Sequence, residues 1–128
     1  MNIKATFYIA VYLDGTQVPT ISFSNPYQML GNLATGHLSQ SPGVIEELDL
    51  IKQVLEGSLN VHAFGGDDWS IIEVEKDTSF ITSGFDLFEP IEIPTSEIYK
   101  LMNEWKSFLL SYEKNEIPGL HAQNASEN

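Results

Sequence analysis

Four residues of the kind that move protons or hold cations lie within reach of one another in the middle of the chain: His62, Asp67 and Asp68, with His37 able to join them in space. An imidazole beside a carboxylate is an acid–base pair, and imidazoles grouped with carboxylates make a donor set for a divalent cation. The spacing matches no metal motif, however. Three histidines in 128 residues is an ordinary number, so loop and surface roles are expected for them. Asp67-Asp68 lacks the alternating ligands, central glycine and distal glutamate of a calcium loop. Gly65-Gly66 has neither the lysine nor the following helix of a phosphate cradle. There is no Gly-x-Ser-x-Gly elbow and no cysteine to act as nucleophile. No catalytic residue, metal ligand or cofactor is assigned, and a non-enzymatic protein is expected.

Charge says more than motif. Eighteen Asp and Glu stand against six lysines, there is no arginine, and the net charge is −12. Arginine's planar fork is the usual device for gripping phosphate, so nucleic-acid binding is not expected and the natural partner is basic. Hydrophobic residues make up 42% of the chain, which places it among folded domains and apart from acidic disordered tails. With no cysteine there is no disulfide framework. Met1-Asn2-Ile3-Lys4 leads into alternating positions with no basic and then apolar leader, and no stretch approaches the roughly 20 apolar residues of a spanning helix. A cytoplasmic location without membrane association is expected, as a monomer or weak homodimer.

Two acidic surfaces emerge once the elements that carry them are traced. Ile3, Ala5, Phe7, Ile9, Val11 and Leu13 alternate with polar or smaller residues, the period of a half-buried strand. A three-residue loop, Asp14 to Thr16, would set Ile9 opposite Ile21 and Phe7 opposite Phe23, with Pro19 marking an edge or bulge. Residues 25–40 read as a short helix or packed loop. Ser41-Pro42 and Gly57 bracket a helix whose apolar face is Val44, Ile45, Leu48, Ile51 and Leu55, with Ser41 as its cap. Its opposite stripe, Glu46, Asp49 and Glu56 with Gln53, is the secondary acidic surface.

After Gly57 the period returns to two, with strands expected near 60–64, 69–76, 79–82 and 85–93. On the second of these, Glu73, Glu75 and Asp77 share a face with Trp69 and Ile71. With Asp67 and Asp68 they form the favoured partner-binding surface, because a rigid aromatic ringed by carboxylates has the composition of a hot spot for a basic partner. Pro94 closes the strands. Thr95 or Ser96 then caps a long helix with Ile98, Leu101, Met102, Trp105, Phe108, Leu109 and Tyr112 on one stripe. Trp105 is expected in the core. The whole predicts an α+β fold: a mostly antiparallel sheet of about five strands packed against two main helices, as a single domain over 1–117 with a polar tail over 118–128.

The stretch Phe88-Glu89-Pro90-Ile91-Glu92-Ile93-Pro94-Thr95-Ser96-Glu97, running into Ile98 to Leu110 with Trp105, resembles the last strand and closing helix of small acidic bacterial immunity proteins. These are the cytosolic antidotes of polymorphic and contact-dependent growth-inhibition toxins. The resemblance is confined to this stretch of the chain and transfers no functional residue. It implies an immunity protein that binds and neutralises one basic bacterial toxin domain, commonly a nuclease, by covering its active site or substrate surface. A general interaction or adaptor domain is the first alternative. The second is a small metal-dependent enzyme using His37, His62, Asp67 and Asp68.

Overall fold

The computed structural model describes residues 3–28, 30, 36–65, 71–82 and 89–114. The chain opens with an antiparallel hairpin, β1 (Ala5–Val11) and β2 (Gln17–Phe23). Its loop is Leu13-Asp14-Gly15, which pairs Phe7 with Ile21 and Ile9 with Pro19. The expected register, built on a loop from Asp14 to Thr16, is therefore displaced by two residues. Gly15 explains the difference. It takes φ 87°, the left-handed conformation that closes a three-residue hairpin loop, while its N–H donates to Tyr12 O at 2.9 Å and Tyr12 N–H donates to Thr16 O at 2.9 Å. The Thr16 hydroxyl and its N–H, the latter 2.9 Å from Asp14 Oδ1, hold the Asp14 carboxyl below its ordinary value.

The remaining strands, β3 (His62–Phe64), β4 (Ile71–Val74), β5 (Thr78–Thr82) and β6 (Ile91–Pro94), form a second antiparallel sheet in chain order. The α+β class, the antiparallel pairing and the two main helices are as expected. Among the described residues the strands fall into sheets of two and four, in place of one sheet of about five. Aromatic packing joins the hairpin to the rest: Phe7 stacks on Trp105 at 6.1 Å and on Phe108 at 5.5 Å, so side chains of the long helix stand where backbone pairing was expected. Phe85, Asp86, Leu87, Phe88 and the tail from residue 118 lie outside the described residues.

The first helix, α1 (Ser41–Glu56), stops as predicted at Gly57, with φ 86°. Gly57 N–H donates to Val54 O at 3.1 Å and Ser58 N–H to Gln53 O at 3.0 Å, a Schellman closure. Its start differs. Ser41 is the first helical residue and the preceding Gln40 makes no side-chain cap. Glu113, at the far end of the second helix α2 (Thr95–Glu113), accepts from Ser41 N–H at 3.0 Å and from Ser41 Oγ at 2.5 Å. A carboxylate borrowed from α2 thus satisfies the positive end of α1 and pins the two helices head to tail.

The α2 stripe of Ile98, Leu101, Met102, Trp105 and Leu109 is buried, and Trp105 Nε1–H donates to Leu38 O at 2.8 Å. With Val44, Leu48, Ile51, Val54, Phe64, Ile72, Val74, Ile81 and Ile93 it makes one contiguous core. Burying that indole is worth several kcal/mol, since truncating such a residue to alanine costs about 3–5 kcal/mol. Neither Thr95 nor Ser96 caps α2. Thr95 is fully buried and begins the helix; its hydroxyl donates to Glu75 O beside Ser79 Oγ, and its N–H donates to Asp77 O at 3.1 Å. The turn carrying Glu75 and Asp77 is thereby fastened to the start of α2. No helix among the described residues is long and apolar enough to cross a membrane.

Candidate functional site

The sheet of β3 to β6 has an inner and an outer face, and alternation decides what each carries. Phe64, Ile72 and Val74 point inward and are buried, whereas Ala63 and Glu73 are exposed. Register places Ala63 opposite Glu73, Glu73 opposite Phe80 and Phe80 opposite Glu92. One row across the outer face therefore reads Ala63, Glu73, Phe80, Glu92: a half-buried aromatic between two exposed carboxylates. Directly opposed positions on one face bring Cβ atoms within about 5 Å, so the three side chains act as one patch. Glu75 and Asp77, both exposed, continue the negative charge around the β4–β5 turn.

Of the six residues assigned to partner binding, Glu73 is exposed on β4, and Glu75 and Asp77 are exposed in the turn that follows, beyond the strand end at Val74 where the expected strand over 69–76 would have carried Glu75. Asp67, Asp68 and Trp69 lie outside the described residues. Phe80 supplies an aromatic that the sequence reading did not select; its register relative to Glu73 and Glu92 depends on pairing between strands, which period-two patterning does not specify. The secondary surface of Glu46, Asp49 and Glu56 is exposed along α1, with Asp49 accepting from Gln53 Nε2 at 2.8 Å.

A second cluster centres on a buried carboxylate at the edge of the core, with one of its imidazoles half exposed. His37, on a 3-10 turn at Gly36–Ser39, and His62, on β3, do come together, but around Glu47 of α1. His62 Nε2 is 2.6 Å from Glu47 Oε2 and His37 Nε2 is 3.2 Å from Glu47 Oε1. Glu47 is only 8% exposed. The expected apolar face of α1 is corrected accordingly: Ile45 is 48% exposed and Glu47 is turned inward. The signal was present, since 44, 47, 51 and 54 fall at helical spacing. A carboxylate at 47 is tolerated there because two imidazoles occupy its two oxygens.

Gly43 makes this possible: a Cβ at that position would meet the His37 carbonyl oxygen at 1.8 Å, so only glycine lets the 3-10 turn lie against the first turn of α1. Chemically, an imidazole oriented by a carboxylate is half of an acid–base device. Here one carboxylate is divided between imidazoles from two elements, and the arrangement ties the turn, α1 and β3 together. Among the described residues no group of three His, Cys, Asp or Glu side chains is arranged to hold a metal ion.

A concavity of about 520 Å³ lies between β2, the start of α1 and the end of α2, where Pro19, Pro42 and Tyr112 meet Glu113. Its one carboxylate is already committed to Ser41. A smaller one, about 270 Å³, lies on β3 and β4 and is lined by Val61, His62, Ala63, Glu73, Val74 and Glu75. Comparison with protein-family models, curated proteins and solved structures finds no match to this chain.

Proposed function

We propose that this chain is an immunity protein: a non-enzymatic cytoplasmic inhibitor that binds a basic bacterial toxin domain and covers its active site or substrate surface with the outer face of the four-stranded sheet. The observation that carries the reading is the row Glu73, Phe80, Glu92, two exposed carboxylates flanking a half-buried ring on a rigid sheet. A net charge of −12 without arginine fits the same partner. The resemblance of residues 88–110 to the closing strand and helix of immunity proteins supplies the class.

The physics suits the task. A nuclease cleft is positive because it must hold phosphates, so an ordered set of carboxylates steers encounter toward about 10⁸ M⁻¹s⁻¹ or faster at low salt. Slow dissociation needs more than charge, and a packed aromatic with matched polar neighbours provides it.

The test is a pull-down with the tagged chain against the product of the adjacent gene, followed by a toxicity assay in cells expressing both. A stable complex with a basic, growth-inhibiting protein, and rescue of growth, is the expected outcome. A neighbour that neither binds nor inhibits growth counts against the assignment.

A further inference from the structure

Among the described residues two negatively charged surfaces are concave: a shallow one of about 180 Å³ with Asp77 and Glu92 in its lining, and a larger one on β3 and β4. The stripe of Glu46, Asp49 and Glu56 lies along a convex helix, and Asp49 is already engaged by Gln53. The hollow of about 270 Å³ on β3 and β4 is different in shape and lining. His62 pairs with Val74 and Ala63 with Glu73, so Val61 and Glu75 flank the pair on the other side. Val61, Ala63, Glu73 and Glu75 are all exposed; Ala63 and Glu73 are register partners on the outer face, and Val61 and Glu75, one residue beyond the strands, line the same hollow, giving two apolar and two acidic positions. Ala63, the smallest of them, leaves the space. Val61, 62% exposed, forms an apolar wall.

We infer that this hollow receives one lysine or arginine side chain projecting from a basic protein partner, an inference that rests on the binding reading above. A long cationic side chain has two parts with opposite needs: an aliphatic stem that prefers apolar contact and a charged head that must stay solvated or paired. Val61 and Ala63 meet the first need, and Glu73 and Glu75 the second. The two carboxylates stand two residues apart on one face and repel each other; among the described residues neither makes an ion pair. An inserted cation relieves that repulsion and gains two charge-assisted bonds. The hollow is held from behind. His62, at its floor, is fixed to Glu47 on the inner face, and Glu75 O is fixed by Thr95, so the strands are set before the partner arrives.

The test uses the full chain labelled with ¹⁵N and a hexalysine peptide as probe. Amide shifts should concentrate at Val61–Ala63 and Glu73–Glu75, and exceed those at Glu46, Asp49 and Glu56. Ala63→Leu fills the hollow without changing charge, and Glu75→Gln removes one charge without changing shape. Each should weaken peptide binding by about tenfold while the melting temperature is retained. Shifts spread evenly over both acidic surfaces, or unchanged affinity in both variants, would overturn the inference. Its failure is separable from that of the function: if the hollow is not used but the partner is still lost on reversing Glu73 and Glu75, the face stands without the pocket. If the peptide seats in the hollow and the partner binds the reversed variant normally, the pocket stands and the binding face does not.

Discussion

Glu73 on β4 and Phe80 on β5 are register partners on the outer face of the sheet, and Glu92 on β6 is the next partner along. An aromatic held between two carboxylates by backbone pairing is a preorganised patch, because the ladder, and not the side chains, bears the cost of alignment.

Gly43→Ala should destabilise the protein by about 1–3 kcal/mol, the range for forcing extra volume into a packed site. The added methyl would meet the His37 carbonyl oxygen and push the 3-10 turn off α1. Thermal melting by circular dichroism checks the loss, and histidine ring NMR should show His37 released. A variant as stable as the parent would show that the turn moves without cost.

Glu47→Gln should cost about 1–3 kcal/mol, since the amide keeps the shape but cannot accept from both imidazoles through two oxygens. Glu46→Gln, one residue away and exposed, should cost less than about 0.5 kcal/mol. Urea titrations of the two variants decide. Equal midpoints would mean that the buried carboxylate does not hold the three elements together.

Thr95→Val should keep the volume and remove the hydroxyl that serves Glu75 O and Ser79 Oγ. Leaving those groups without their partner costs about 1–3 kcal/mol. Amide exchange should rise most around residues 75–79. A change confined to the end of α2 would contradict the view that Thr95 fixes this turn.

Asp14 should titrate below its ordinary value of 3.8, because Thr16 hydrogen bonds favour the ionised carboxylate. The sign follows: the hairpin's gain from this contact is fully present above the unfolded value and is lost as pH falls through the lowered one. Carboxyl NMR between pH 2 and 6 is the check, and Thr16→Val, which removes the hydroxyl and keeps the N–H, should move the titration only part of the way back.

Much of this architecture was legible because it is local. The αL stop at Gly57, the 3.6-residue stripe through Trp105 and the alternation of β1 each follow from neighbours within a few positions. What was missed depends on partners far away in the chain. The registers pairing Ile9 with Pro19 or with Ile21 differ by two residues and keep the same side chains on the core face, so patterning cannot choose between them; Gly15 does. Ser41 and Thr95 are residues of the kind that cap helices, yet their hydroxyls serve Glu113 and Glu75, 72 and 20 residues away. Glu47 belongs to neither stripe read from the sequence; its position between Val44 and Ile51 points inward, and the partners that make a carboxylate tolerable there, His37 and His62, are 10 and 15 residues away.

On the proposed function, the outer sheet face, and not the α1 stripe, binds the partner. Association and dissociation of the adjacent-gene protein should be measured for the parent chain, for Glu73→Lys with Glu75→Lys, and for Glu46→Lys with Glu56→Lys, with folds verified by circular dichroism. The sheet variant should lose several kcal/mol of affinity, while the helix variant changes little. The parent's association rate should also fall steeply between about 0.05 and 0.5 M salt as screening removes the steering. Loss of binding in the helix variant alone, or in neither, would contradict it.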